Sequence, residues 1–240
     1  FIREANKSIN TPVKIGKIEI ATWSDFPNLA IVFTDVYVED GLPGENALLT
    51  AKVISFYLNP LEAWRGNYAI RGLQITDSET NLKINATGKN NYTILKESQD
   101  SLNAGSIRFD LKNVKLKNTK VTYEDKQAKQ SHLFSSEQLT ASISITDQLY
   151  AITGKGDVTT GQIGIGNNIF LKNKSFDVNS TLTYDDRLRQ VVINSSTINV
   201  KESTFSVTGN YTFLKKNLID IAATGEDTNI RTLISLLPEH

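Results

Sequence analysis

The sequence predicts a mostly β protein, built as an elongated, curved antiparallel sheet of repeated strand units with few short helices. Two observations predict this class. Apolar and polar residues alternate with a period of two in many segments, and one spacing of apolar residues occurs three times along the chain. Few segments show the 3.6-residue period that is typical of a helix.

The alternation is clearest where Ile107, Phe109 and Leu111 alternate with Arg108 and Asp110. Such a segment forms a strand with one apolar and one polar face. β-branched and aromatic residues are frequent in these segments, as they are in strands generally. Pairs such as Asp-Gly, Pro-Gly and Thr-Gly separate the segments and predict turns between them.

The repeated spacing of apolar residues is two, two, three, two. Its step of three changes which face the apolar residues occupy, and a β-bulge or sharp bend would restore them to one face. A repeat of this size predicts an elongated, modular sheet. Only Ser195 breaks the apolar rule. The copies are Leu29, Ile31, Phe33, Val36 and Val38; Ile107, Phe109, Leu111, Val114 and Leu116; and Val191, Ile193, Ser195, Ile198 and Val200.

Helices are predicted in three short places. Residues 1–10 resemble the tail of a longer helix, and residues 60–65 one or two turns capped by Asn59. Residues 229–237 carry one apolar face, and Asp227 or Thr228 is expected to cap them. The remaining chain is predicted to be strand and turn.

Length and composition limit the possible functions. The 240 residues carry 26 basic and 26 acidic side chains, and this zero balance argues against nucleic acid as a partner. Without cysteine there is no disulfide, thiol nucleophile or cysteine-bound zinc. We expect one domain over 1–240, with possible sub-units at 1–98 and 99–240. Because methionine is absent, we expect a fragment or processed product, and any membrane anchor would have to precede Phe1.

The chain shows no pattern that is typical of an enzyme, and no cofactor or metal is predicted. Three acidic pairs could serve glycoside hydrolysis, but each follows a strand, where turn formation explains it better. His132 lies in a polar stretch and is predicted to be a solvated loop residue. A carbohydrate-active enzyme on a β scaffold is the weakest hypothesis. The pairs are Glu39-Asp40, Glu124-Asp125 and Asp185-Asp186.

The largest basic cluster comprises Lys112, Lys115, Lys117 and Lys120. It could bind lipid headgroups or a membrane surface. The favoured interpretation is the solvated face of a strand, at a sheet edge that lysine protects from pairing.

The apolar face of the strands allows two interpretations. It could be the core of a sandwich, covered by a second sheet, or it could line an open groove that binds apolar ligands. The residues alone favour neither of these.

Several short segments, in this order, resemble the AsmA family of Gram-negative bacteria, and the resemblance covers most of the chain. The segments are Val13-Lys14-Ile15-Gly16-Lys17-Ile18, Phe26-Pro27-Asn28-Leu29, Leu48-Leu49-Thr50-Ala51, Pro60-Leu61-Glu62-Ala63-Trp64-Arg65-Gly66, Ile70-Arg71-Gly72-Leu73-Gln74-Ile75, Gly88-Lys89-Asn90-Asn91-Tyr92, Phe205-Ser206-Val207-Thr208-Gly209 and Leu233-Ile234-Ser235-Leu236-Leu237-Pro238. The composition is similar to that of Bacteroidetes members.

This resemblance implies a periplasmic domain, held in the inner membrane by an N-terminal helix that is absent from this chain. It implies a bridge-like groove that binds phospholipid or other acyl chains and contributes to outer-membrane biogenesis. A non-lipid scaffold for outer-membrane protein assembly is the alternative. The candidate groove-lining residues are Leu29, Ile31, Phe33, Val36, Val38, Ile107, Phe109, Leu111, Val114, Leu116, Val191, Ile193, Ile198 and Val200.

Overall fold

The computed structural model describes residues 10–21, 29–44, 46–61, 65, 70–94, 108–212, 218–226 and 228–236. Of these residues, 75% lie in strands and 4% in helix. The strands form one long, open, curved sheet of 12 strands, which confirms the predicted fold class.

The strands are long, and one short helix is described in full. Their bounds are β1 Val13–Ala21, β2 Leu29–Glu39, β3 Ala47–Leu58, β4 Ile70–Ile84, β5 Arg108–Asp125, β6 Gln130–Thr146, β7 Leu149–Ile165, β8 Asn168–Phe170, β9 Lys174–Asp185, β10 Gln190–Val200, β11 Ser203–Thr212, β12 Leu218–Glu226 and α1 Ile230–Ser235.

The strands follow one another through the sheet in sequence order, with β8 beside β7 as a side branch. All described pairs are antiparallel except β4 and β5, which are parallel. β5 therefore starts at the end of the sheet from which β4 starts. The alternation of apolar and polar residues shows which side chains share a face of a strand. It does not show whether neighbouring strands are parallel or antiparallel, so it could not predict this parallel pair.

The predicted step of three is a real irregularity in the first two copies. In β2, Asp35 has a left-handed backbone (φ 52°), and Phe33 and Val36 on either side are both buried. In β5, the register with β6 shifts between Leu111 and Val114. Each irregularity restores the apolar residues to one face, as predicted.

In the third copy the predicted position of the step of three is wrong, because the prediction places it between Ser195 and Ile198 and it lies earlier in β10. The register of β10 with β11 shifts between Ile193 and Ser196, so the step of three ends at Ser196. Ser196 is buried and Ser195 is exposed. Ser195 therefore stands off the apolar face, because the bulge comes before it.

Left-handed residues recur at one level of the sheet on several strands. Asp77 (φ 51°) and Asn118 (φ 50°) face each other across β4 and β5, and the Asn118 amide donates to Asp77 Oδ1 at 2.9 Å. Six neighbouring strands lack a register pair along this line, which we call the kink row, and Asp35, Asp77 and Asn118 are its left-handed members. The members are Gly16, Asp35, Lys52, Asp77, Asn118 and Glu137.

The kink row ends at a bulge in β6 that Asp157 of β7 stabilises. The Asp157 carboxylate accepts hydrogen bonds from the backbone N–H groups of Glu137 and Gln138, each at 2.7 Å. These two donors lie where the β6–β7 register shifts, between Ser135 and Leu139. A charged acceptor thus replaces ladder partners that the bulge removes.

Gly156 lies beside this bulge in a conformation that requires glycine. Its φ is 152°, and a Cβ there would collide with the backbone carbonyl of Gln138. We therefore expect Gly156→Ala to lower the free energy of unfolding by about 2 kcal/mol or more, measured by urea denaturation. Gly154→Ala is the control, since no atom lies within 4 Å of its Cβ position. Equal losses in the two variants would contradict this account of the bulge.

The described helical residues agree with two of the three predictions. Pro60 and Leu61 are helical, and Asn59 Oδ1 accepts from the Leu61 N–H at 2.9 Å. The C-terminal helix α1 is present, and Asn229 Oδ1 accepts from the Arg231 N–H of its first turn at 2.9 Å, in place of the predicted cap Thr228. The other predicted cap, Asp227, lies outside the described residues. The segment 1–9 of the first predicted helix lies outside the described residues. None of the described helices is long and apolar enough to cross a membrane.

Candidate functional site

One face of the sheet carries an apolar line that crosses it from edge to edge. Each member of this central row is the register partner of the next, and every member is apolar or glycine. At about 4.8 Å between strands, ten spacings give a length of about 48 Å. The central row is Ile18, Phe33, Ile54, Ile75, Leu116, Leu139, Gly156, Val178, Ile198, Phe205 and Gly225.

A second row runs parallel to the central row on the same face. It is apolar or glycine at every strand except β9 and β10, where serine occurs. Together the two rows form a continuous apolar band. The second row is Ile20, Ile31, Phe56, Leu73, Val114, Ala141, Gly154, Ser180, Ser196, Val207 and Ala223.

The residues between these two rows point to the opposite face, because side chains alternate along a strand. This polar row is hydrophilic at every strand except β2. The sheet is thus amphipathic along its whole width. The polar row is Glu19, Val32, Ser55, Gln74, Lys115, Thr140, Lys155, Asn179, Thr197, Ser206 and Thr224.

The candidate lining residues whose side chains are described are in strands β2, β5 and β10. Phe33, Leu116 and Ile198 are members of the central row, and Ile31 and Val114 are members of the second row. Leu111 and Ile193 share a further row through β6, β7 and β9.

The other candidates stand away from these rows. Val36 and Val38 lie on the far side of the kink row, and Leu29, Val191 and Val200 lie near strand ends. Ile107 is outside the described residues, and of Phe109 only the backbone is described, in β5.

Sequence reasoning missed the apolar residues that β3, β4, β6, β9 and β11 contribute to the band. Ile54 and Phe56 of β3 are the clearest of them, since they follow Ala51 with the same steps of three and two. In β7 and β9 the pattern is weak because glycine and serine take several inner positions. The register between strands shows that these small residues belong to the band. That register cannot be predicted from the alternation of apolar and polar residues alone.

The band is closely packed near β2 and β3. Phe33 is 3% exposed and Ile54 8%, and the Phe33 and Phe56 rings meet edge to face with centroids 5.5 Å apart. Toward β12 the same face opens, with Ile219 62% and Ile221 51% exposed. Around β2 and β3 the band therefore has the character of a core, whereas the edge strands β1 and β12 present accessible apolar side chains, since Ile18 and Ile20 of β1 are also exposed.

The described part of the chain contains no second layer over this band. Extensive contacts join only strands that are neighbours in the one sheet. The sandwich interpretation therefore finds no second sheet among the described strands. At the middle of the band, no atom lies within 4 Å of the Cβ position of Gly154, so the surface there is open.

His132 belongs to the apolar face, and its prediction as a loop residue is wrong. It lies in β6 opposite Tyr123, and the two rings stack with centroids 5.5 Å apart. Burial lowers the pKa of His132 below its ordinary value, so the imidazole is neutral near pH 7. Burial and the neighbouring Asp125 carboxylate raise the pKa of Tyr123 to about 12, so the phenol keeps its proton.

The lowered pKa of His132 makes stability depend on pH. The unfolded chain takes up this proton as the pH falls through 6.5, whereas the folded chain resists it. The stabilisation that this difference in proton binding gives the folded chain is therefore complete above pH 6.5 and is lost as the pH falls below it. We expect His132→Phe, which keeps a stacked ring, to lose less unfolding free energy than the wild type between about pH 7.5 and about pH 5.5. Equal losses in urea denaturation would contradict this role.

One aspartate of each acidic pair accepts hydrogen bonds from the turn that follows it. Asp40 accepts from the Leu42 N–H, Asp125 from the Ala128 N–H, and Asp185 from the N–H groups of Arg187 and Leu188. These bonds confirm the turn interpretation for the three aspartates, whereas Glu39 and Glu124 lie in β2 and β5. No group of three or more potential metal ligands occurs in the described ranges.

The lysine cluster is on the solvated face, as favoured, but β5 is an inner strand and not an edge. Lys115, Lys117 and Lys120 are exposed, and Lys120 pairs with Glu79 at 3.3 Å. The side chain of Lys112 is outside the described residues. Such exposed pairs contribute little to stability.

A cavity of about 960 Å³ lies on the polar face, and none of the candidate lining residues contributes to it. Its wall includes Thr140, Lys155, Asn179 and Thr197 of the polar row. This concavity is open to solvent and lies on the side of the sheet opposite the apolar band.

Comparison with known proteins does not identify a relative. No family model, curated protein or solved structure matches this chain.

Proposed function

We propose that this chain is a lipid-binding domain that transfers lipid between membranes. The observation that carries the proposal is the apolar band, whose central row is apolar or glycine on every strand that it crosses from β1 to β12, with a polar row behind it. An extended apolar surface of this kind on a soluble sheet is a binding surface, since water contact with it is unfavourable.

The mechanism is passive partition. An acyl chain lying on the band leaves water, and each buried methylene contributes roughly 0.8 kcal/mol. The headgroup stays in solvent beyond the strand ends. Rows of similar apolar side chains offer many equivalent positions, so a lipid can move along the band without a large barrier. No cofactor takes part in this mechanism.

The open stretch of the band is the preferred position for the lipid. Gly154 and Gly156 lower the surface at β7, and Ser180 and Ser196 add only small side chains beside them. In the central row Leu139 and Val178 flank Gly156, and their side chains contact the acyl chain from both sides.

The location of this activity follows from the resemblance to the AsmA family. We propose a periplasmic domain, anchored to the inner membrane by a helix that precedes this chain, which contributes to outer-membrane biogenesis. Phospholipid is the expected ligand, and outer-membrane assembly proteins are the expected protein partners. In the alternative proposal the same sheet is a scaffold for such proteins and carries no lipid.

Lipid content distinguishes these proposals. The protein is purified from a Gram-negative host without detergent, and its organic extract is analysed by mass spectrometry. A lipid-transfer domain carries about one or more phospholipids per chain, because each acyl chain buries many methylenes. A scaffold purified in parallel yields no phospholipid above the level of a soluble control protein.

A further inference from the structure

The polar face carries a concave site that the lipid proposal does not use. The cavity of about 960 Å³ adjoins one of about 430 Å³, and both include Glu137 and Asp157 in their walls. The larger one crosses β6, β7, β9 and β10, a width of about 14 Å.

The site is shaped by irregular backbone that is held in place. The β6 bulge forms its centre, and Asp157 fixes that bulge through two backbone N–H groups. The close approach of Gly156 to Gln138 bends the sheet at the same point. Asn118, with its left-handed backbone, borders the smaller cavity. Irregular backbone of this kind concentrates at binding sites, because it shapes a surface that a regular sheet lacks.

The walls consist of side chains that form hydrogen bonds. Gln138, Thr140, Asn179, Thr197 and Asn199 supply amide and hydroxyl groups, and all are at least partly accessible. The smaller cavity adds Ser135, Thr159 and Ser175. Gly156 and Val178 also border the larger cavity, but both belong to the central row, so the Val178 side chain points to the opposite face. No aromatic residue lines the larger cavity.

The charged side chains of the wall limit the classes of ligand that the larger cavity can bind. The larger wall holds three carboxylates, Glu137, Asp157 and Asp177, against one ammonium group, Lys155. Anionic ligands such as phosphates are disfavoured by this balance, and apolar ligands by the hydrophilic wall. Hydroxyl groups of a sugar can donate to the carboxylates and accept from the amides, and an amino group gains further from the carboxylates.

We propose that this polar face binds an oligosaccharide of neutral or amino-bearing sugars across β6, β7, β9 and β10. Because it lies opposite the apolar band, the sheet can hold a glycan and a lipid at the same time. The inference rests on the cavity and its walls, so it is independent of whether the band carries lipid.

Calorimetric titration with three named tetrasaccharides tests the proposal. Deacetylated chitotetraose supplies amino sugars, maltotetraose neutral sugars and tetragalacturonate acidic sugars. We expect saturable binding of the first two, at roughly millimolar Kd or tighter, and no binding of the third. Absence of saturable binding for both of the first two, or preference for the acidic one, would overturn the proposal.

Paired variants locate the site. Asn179→Ala with Thr197→Ala removes two wall side chains, and Ser206→Ala with Thr224→Ala alters the same polar row outside the cavity. We expect the first double variant to bind at least about tenfold more weakly and the second to bind like the wild type. Equal binding by both variants, at matched circular dichroism spectra, would show that the sugar does not occupy this cavity.

Discussion

Replacement of Asn91 by leucine is expected to lower the free energy of unfolding by at least about 4 kcal/mol. Asn91 is 0% exposed, and its side chain uses every hydrogen-bonding group it has. Its Oδ1 accepts from the Lys83 N–H at 2.7 Å, and its Nδ2 donates to Asn81 O at 2.8 Å and to Asp40 Oδ2 at 3.2 Å.

Leucine has a similar volume but forms no side-chain hydrogen bonds. The three partners of Asn91 would therefore lose a hydrogen bond in the protein interior. Two are backbone groups, and the third is the carboxylate of Asp40, which is 3% exposed. Each unsatisfied neutral group costs about 1–3 kcal/mol and a charged group more. Asn91 also joins the end of β4 to the turn after β2, through its carbonyl and the Gly41 N–H. Leucine keeps that backbone bond, but the side-chain bond to Asp40, which joins the same two segments, is lost.

Urea denaturation measures this effect, with Asn194→Leu as the control. Asn194 is also an asparagine with a side-chain hydrogen bond, to Thr183 Oγ1 at 2.7 Å, but it is exposed. Its replacement should change stability by no more than about 1 kcal/mol, because water replaces the lost partner. A loss for Asn91→Leu no greater than that for Asn194→Leu would contradict the structural role given to the buried amide.

The second large effect concerns lipid. Replacement of Leu116 and Ile198 together by glutamine is expected to reduce bound lipid by roughly a hundredfold at sub-saturating lipid. Each change removes an apolar contact of the central row that contributes about 1.5 kcal/mol, and every 1.4 kcal/mol corresponds to a factor of about ten. Fluorescent phospholipid, titrated with the protein in detergent-free buffer, gives the affinity.

The matched control changes the residues immediately before them, Lys115 and Thr197, to glutamine. These two residues belong to the polar row, so their side chains face solvent on the side of the sheet opposite the apolar band. We expect this double variant to bind lipid like the wild type. If both double variants lost affinity equally, the effect would come from general damage to the sheet, and the apolar band would not be the binding surface.

Much of the sheet was predictable from the sequence because side-chain alternation is a local property of a strand. The step of three also predicted a backbone irregularity at Asp35, since Phe33 and Val36 must share one face. The candidate band residues Phe33, Leu116 and Ile198 prove to be aligned across the sheet.

Other features depend on pairing, which alternation does not specify. The parallel contact of β4 and β5 and the kink row both arise from register between strands distant in sequence. His132 was misassigned because its neighbours Gln130 and Ser131 are polar, while its ring packs on Tyr123 of another strand. The polar-face cavity likewise depends on a bulge and a glycine that meet only in the folded sheet.

Photocrosslinking at two adjacent residues of β5 tests the central claim most directly. A benzophenone amino acid is placed at Leu116 of the central row or at Lys115 of the polar row, and crosslinked products from living cells are identified by mass spectrometry. The account predicts phospholipid adducts at position 116 and none at position 115. Crosslinks only to protein at position 116, or equal lipid adducts at both positions, would contradict it.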